Sequence, residues 1–573
     1  MYINLTIEIV MNSETHSTSS GQARQCQKCK QDFVVESDDF AFYEKMKVPA
    51  PNVCPLCRFR LKALWRNETT LYSRVCAATK EPIISMYNPK RPYTVFSYEY
   101  YISDEWDSRE FGTDYDKNKP FFDQLKELLI KVPKCATYLS TASGPIINSP
   151  YANYGGGLKN CYLVFNSGPD EDVMYSRGMR YCNQSADCYF CFQLEECYEC
   201  VNVQQSSRVF WGKNSSSCLE CSFIEDCRGC QSCFGCVGLR NQKYNFFNES
   251  FSKEDYQKKV SEITGSYKEI ERMKKKFELH RLKFPVRQTN NFKTVNSTGD
   301  YLFECNKVYN SMEALKSENS RFVFSVRETK DSMGIIGYGT QSELLLECVG
   351  VGNSSRVVGS VGVSHSSDIW YSFFLENCKN CIGCDYLKHA EYCILNKQYT
   401  KEEYEILQEH IRQELIEKGL HGLIMPQYLA PFAYNETVGQ DNFPISRDQA
   451  IKTGLPWEDD IQETHGKETM KLFDLPDNIK DIKDSIINEI FACEMTGRNF
   501  RITMQELQFY RKMNLPLPHK SFFARHIDRL VRRGPYQLFD RNCAKCNKEI
   551  KTSYATDRPE IVYCESCYNN EVA

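Results

Sequence analysis

No stretch of this chain approaches the roughly 20 consecutive apolar residues a membrane-spanning helix needs. The opening MYINLTIEIVM is too short for a secretory signal and carries Glu8. Histidines number nine and are scattered. No GxxxxGK[ST] phosphate loop, HExxH helix or GxSxG elbow occurs. Gly334-x-x-Gly337-x-Gly339 is too loose to count as a nucleotide loop. The net charge of −4 gives no global excess, so any nucleic-acid binding must come from local patches. These absences argue against a membrane protein and a motif-bearing enzyme. They favour a non-enzymatic chain.

What the sequence has in excess is cysteine. There are 29 in 573 residues, an odd count, and the residues before them are not expected to form a basic-then-apolar signal peptide. The expectation is a cytoplasmic protein whose thiols are reduced or metal-bound. At this length several domains are expected.

The two ends repeat one another. Shifted by 467 positions, Cys26 falls on Cys493, Phe42-Tyr43 on Phe509-Tyr510, Arg58 on Arg525, Arg74 on Arg541 and Cys76 on Cys543. The ligand sets do not match. Cys26, Cys29, Cys54 and Cys57 fall on Cys493, Thr496, Ser521 and Ala524. Cys543, Cys546, Cys564 and Cys567 fall on Cys76, Thr79, Ser97 and Tyr100. Each end thus reads as a tandem pair of fingers, with the first finger kept at the N-terminus and the second at the C-terminus. Two CxxC pairs supply four thiolates to a tetrahedral ion, so two structural Zn²⁺ are expected, with no open catalytic position.

The segment CQKCKQDFVVESDDFAFYEKMKVPAPNVCPLCRFRLKALW resembles the probable zinc-binding domain family, of treble-clef or zinc-ribbon type. It matches in CxxC, Phe33, the Asp39, Phe42 and Tyr43 unit, and CPxCR. The resemblance spans about 40 residues; it implies zinc and a fold, not an activity. The wider arrangement resembles multi-zinc-finger proteins of small-genome bacteria. Beyond each second pair runs a basic helix. Arg58, Lys62, Arg66, Arg525, Arg529, Arg532 and Arg533 are the expected phosphate contacts, weighed against a plain solvated face.

A second duplication, at an offset of 148, fills the middle. Cys230, Cys233 and Cys236 recur as Cys378, Cys381 and Cys384, and both copies end in a capping box at Ser252 and Thr400. Helices are expected over 253–283 and 401–418. In the first copy Cys182, Cys191, Cys200, Cys218, Cys227 and Cys236 fall on a nine-residue lattice. This predicts a right-handed β-solenoid with 18-residue coils made of two nine-residue half-turns. Cys188, Cys197, Cys221 and Cys227 fall on Ile336, Leu345, Ile369 and Leu375 in the second copy, exchanges a buried thiol tolerates and a metal ligand does not. The rows Cys230, Cys233, Cys236 and Cys378, Cys381, Cys384 remain a candidate third metal site.

The expected fold is multidomain and mainly β. The order is a disordered tail at 1–22, a zinc module at 23–101, a helical connector at 102–150 and a solenoid copy at 151–250. A basic helix follows at 251–300, then the second copy at 301–398, a helix at 399–420, a connector at 421–492 and the second module at 493–573. The leading functional expectation is a zinc-binding scaffold that contacts DNA, RNA, a ribonucleoprotein or another protein, with no membrane role. The alternatives are a thiol-rich metal-handling or redox protein using the CxxCxxC rows, and a β-helix carbohydrate-active enzyme.

Overall fold

The computed structural model describes residues 21–141 and 143–572. The expected tail lies outside the described residues except for its last two positions. Among the described residues no helix is long and apolar enough to cross a membrane. The chain is mainly β, with solenoid segments in the middle and a cysteine-bearing module at each end.

The solenoid is built in units of three. Cys182, Ser185, Cys188, Cys191, Leu194, Cys197 and Cys200 all point into the core. The residue before each takes a left-handed backbone, as at Tyr181, Gln184, Asp187 and Phe190, with φ of 55°, 42°, 55° and 54°. One side of the coil is therefore a core residue, an extended residue and a left-handed corner. Four such sides close a coil of 12 residues. Tyr162 pairs with Met174, Asp170 with Cys182 and Gln204 with Ser216, all parallel.

The 18-residue coil is thus corrected to 12. Nine is a multiple of the three-residue side, so all the cysteine registers fall on one interior lattice. The sides of the second copy are short, as at Ser355–Val358 and Ser367–Trp370, while Ser342–Val351 is a longer strand.

Small polar residues are tolerated inside because the coils satisfy them. Ser176 Oγ donates to the Met174 carbonyl at 2.7 Å and accepts from Cys188 N, one coil on, at 3.0 Å. Cys191 Sγ lies 3.3 Å from the Tyr189 carbonyl and accepts from Val203 N at 3.4 Å. Serine and cysteine fit because each offers one donor and an acceptor at little volume.

The second segment follows the same rule with one slip. Met333 pairs with Leu346 and Ile335 with Cys348, a step of 13 that shifts the lattice by one residue. The 148-residue correspondence therefore holds after the slip and fails before it. Leu345, Ile369 and Leu375 are interior. Ile336, expected opposite Cys188, instead joins the outer cluster with Tyr43 and Trp65.

Helix signals place the connectors. Ser252 caps Lys253–Ser261, but left-handed Gly265 (φ 88°) separates it from Tyr267–Arg281, so the single helix over 253–283 is two. Thr400 starts Lys401–Glu417 with a full capping box. Phe121–Lys131 is helical, as is Arg447–Thr453 between Ser446 and Gly454.

The modules cover the solenoid crosswise. Val35, Tyr43, Leu64 and Trp65 of the N-terminal module share a core with Phe324, Met333, Leu346 and Val349 of the second segment. Leu507, Phe509, Tyr510 and Phe522 of the C-terminal module share one with Phe165, Tyr175, Tyr198 and Phe210 of the first.

Candidate functional site

The N-terminal hairpin Gln22–Gln25 with Asp32–Val35 leads into the turn holding Cys26 and Cys29, closed by left-handed Lys30. Cys54 is the N-cap of the helix Pro55–Ala63, and Cys57 sits in its first turn. Pro55 suits this start because it lacks the N–H that a first turn leaves unpaired. Cys54 N donates to Cys26 Sγ at 3.3 Å, and the Cys29 and Cys54 sulfurs lie 3.7 Å apart. The thiol of Cys57 donates to Cys54 and lowers it against its burial.

The C-terminal set repeats this plan. The hairpin Phe539–Asn542 with Glu549–Thr552 carries Cys543 and Cys546, and Cys564 and Cys567 open the helix Glu565–Val572. Cys564 N donates to Cys543 Sγ at 3.2 Å, and the Cys546 and Cys564 sulfurs are 3.8 Å apart. Within each set the four sulfurs lie within 4.8 Å of one another. A tetrahedral ion with metal–sulfur bonds of about 2.3 Å needs sulfurs about 3.8 Å apart, so both sets fit one ion with four thiolates.

The other two half-fingers keep the shape without the ligands. Tyr72–Val75, Pro82–Ser85 and Val95–Phe96 fall at the same 467-residue offset from Phe539–Asn542, Glu549–Thr552 and Val562–Tyr563. Cys76 Sγ accepts from Thr79 N at 3.4 Å and Ser97 N at 3.2 Å. Burial would raise the Cys76 thiol, but Thr79 and the backbone N–H groups bring it to about 7. Cys493 is likewise lowered against its burial, by Thr496 and Ser521. Hydrogen bonds thus take the metal's place as the cross-link.

The expected phosphate contacts lie at interfaces within the chain. Arg58, Lys62, Arg66, Arg525, Arg529 and Arg533 are buried, and Arg532 is half-buried. Five of them, Arg58, Lys62, Arg525, Arg529 and Arg532, turn inward onto carboxylates of the solenoid. Arg58 Nη1 lies 2.6 Å from Glu347 Oε1, and Lys62 pairs with the other oxygen. Arg525 and Arg529 reach Asp187 Oδ1 at 3.0 and 2.7 Å, and Arg529 and Arg532 reach Glu199 at 3.4 and 3.5 Å. Arg66 binds Glu68 at 2.6 Å, Glu68 binds Arg177 of the first segment, and Arg533 donates to Tyr189 Oη at 2.9 Å. Burial alone would raise the Glu68 carboxyl, but Arg177 and Arg66 hold it at about 2. A charge with such partners costs too much to leave unpaired in a dry interface.

Sequence reasoning missed these carboxylates, yet the signals were present. Glu199 and Glu347 stand 148 residues apart, while Lys62 and Arg529 stand 467 apart. The loose glycine run marks the interface too. A Cβ on Gly334 would meet Glu347 Oε1 at 2.2 Å, and one on Gly337 would meet Arg66 Nη1 at 2.3 Å.

The rows read as a candidate third metal site lie inside the solenoid. Cys230, Cys233, Cys236, Cys378, Cys381 and Cys384 are interior lattice residues. Among the described residues, the groups that bring three or more ligand atoms together are the two terminal sets. Cys230 Sγ is 3.6 and 3.5 Å from the Arg228 and Leu239 carbonyls, and Cys236 Sγ is 3.4 and 3.5 Å from those of Phe234 and Asn245. The rows are spent on the backbone.

No family model matches the chain, and no curated protein does. Among solved structures, one described as a "putative acetyltransferase" from Desulfovibrio desulfuricans G20 covers 46% of this chain and 81% of its own. Its identity is 10% and its TM-score 0.10, which carries no argument about fold or function.

Proposed function

We propose that this chain is a non-enzymatic scaffold in which two zinc ions lock the terminal modules, and the locked modules brace the solenoid. Each four-thiolate set leaves no coordination position open, which suits a structural ion rather than a catalytic one. Zinc is the ion such sets favour, and the hairpin-plus-helix build of the first finger suits the treble-clef type. The 467-residue and 148-residue correspondences fit two internal duplications.

The observation that carries this reading is the burial of Arg58, Lys62, Arg525 and Arg529 against Glu347, Asp187 and Glu199. The basic helices hold the molecule together and do not face outward, so the nucleic-acid part of the expectation loses its contacts. The surface left for a partner is the outer wall of the solenoid. It carries charge ladders such as Arg356 with Asp368 and Arg208 with Glu196, and the exposed Ile527 and Val531 lie on the nearby helix Phe522–Arg533. A folded partner protein matches that mixture. A β-helix carbohydrate enzyme shares the solenoid alone, and a shared fold does not assign activity. The wealth of thiols suits a reducing, cytoplasmic setting.

Elemental analysis of the purified protein under reducing conditions tests the reading. Two zinc ions per chain support it. Three or more metals, or iron, would move the chain to the metal-handling class.

A further inference from the structure

Four pairs of interior cysteines stand one coil apart and directly over one another: Cys188 and Cys200, Cys218 and Cys230, Cys221 and Cys233, and Cys381 and Cys393. Parallel neighbours in register have Cα atoms about 4.8 Å apart, inside the span of about 4.4–6.8 Å that a disulfide bridges. Every pair is thus spaced for a bond. One pair differs in what can reach it.

Cys393 lies in the last coil. Cys381 Sγ is placed against two carbonyls, those of Lys379 and Ala390, at 3.3 and 3.7 Å. Cys393 Sγ meets that of Glu391 at 3.6 Å, with no further coil above it. Cys393 also lines a cavity of about 220 Å³ at this end of the solenoid, together with Arg109, His389 and Lys397. The other three pairs do not line this cavity. Arg109 is fixed across the mouth by a 2.8 Å bond to the Lys388 carbonyl. The thiol of Cys381 donates to Cys393 and lowers it, and Arg109 acts in the same direction. A lowered thiol that lines a cavity beside a guanidinium is placed to react as thiolate.

We propose that Cys393 and Cys381 form a dithiol exchange site for small anionic disulfides that enter beside Arg109. The Cys393 thiolate attacks one sulfur of the disulfide and forms a mixed disulfide. The first small thiolate leaves and takes up the proton Cys393 gave up. Cys381 then loses its proton and attacks Cys393 Sγ. The mixed disulfide breaks, and the second small thiol departs with that proton. One small disulfide becomes two thiols, and two protein thiols become one cystine. The site does not depend on the scaffold reading.

The test uses the full-length, metal-loaded protein with glutathione disulfide. After exposure, free thiols are alkylated, the chain is digested and its disulfides are mapped by mass. The expected product is a Cys381–Cys393 cystine, with the Cys188, Cys218 and Cys221 pairs still reduced and the metal retained. C381S should stall as a glutathione adduct on Cys393, and C393S should not react. Mapping the unaltered protein decides the matter even if a variant folds poorly. An unreacted Cys393 would overturn the proposal. So would equal oxidation of Cys218 with Cys230, which would mean that the reagent had met an opened chain.

Discussion

Arg529 Nη1 sits 2.7 Å from Asp187 Oδ1, with both side chains fully buried and 342 positions apart in the chain. This pair joins the last module to the first solenoid segment. Removing one partner of a buried pair leaves an unpaired charge and costs about 3–5 kcal/mol. R529A should therefore destabilise the chain by about that much in urea unfolding. D187A combined with R529A should cost less than the sum of the two single changes. An additive cycle would mean that the two charges are not coupled.

The metal sets act on separate ends. C54S should remove one ion and loosen residues 22–63, and C564S should do the same for 539–572. Hydrogen exchange should show each loss confined to its own module. The spread of protection loss into both modules from one variant would contradict this. Structural zinc binding contributes on the order of 10 kcal/mol to small fingers, so a strong chelator should unfold both ends.

Binding to DNA or RNA should be weak and nearly flat with salt, since the basic residues of both helices are taken. A protein using six phosphate contacts would instead lose on the order of a thousandfold in affinity between low and moderate salt. A steep salt slope that R58A and R525A reduce would reverse this conclusion.

Glu68 gives a pH signature. Its carboxyl falls from the ordinary 4.5 to about 2 on folding, because Arg177 and Arg66 outweigh its burial. The folded value lies below the unfolded one, so the stabilisation is present above pH 4.5 and is lost as pH falls towards 2. E68Q should flatten the stability curve in that window and lower its plateau. An unchanged acid slope in E68Q would remove Glu68 as its source.

Interior serines should matter beyond their size. Ser360 Oγ donates to the Val358 carbonyl at 2.9 Å and accepts from Ser372 N at 3.1 Å. S360A leaves a buried N–H without its partner, at a cost of about 1–3 kcal/mol in unfolding experiments. S360C should retain most of the stability, because cysteine fills the same role elsewhere in the lattice.

Particular residues explain what the sequence showed. Eight cysteines in CxxC pairs announced both four-sulfur clusters, because the spacing itself is the geometry. The solenoid was legible through its cysteines, but its coil was misread. Nine and twelve are both multiples of three, and only the backbone pairing of Asp170 with Cys182 chooses between them. The basic helices misled for a different reason. In Phe522–Arg533 one face carries Arg525, Arg529 and Arg533, and another carries Ile527 and Val531. Amphipathicity tells that the faces differ. It does not tell which one is inside, and here acids at left-handed corners, Asp187 and Glu199, pull the charged face inward.

The crosswise cover has a bearing on how the molecule is made. Synthesis from the N-terminus delivers the first module before the second solenoid segment that it packs on. The first segment in turn emerges long before Leu507, Tyr510 and Phe522, which close over it. A ribosome must therefore carry a half-clothed solenoid, with Tyr175, Tyr198 and Phe210 facing water, until Phe522 has been made. The two modules act as latches, each closing on a segment made far from it along the chain.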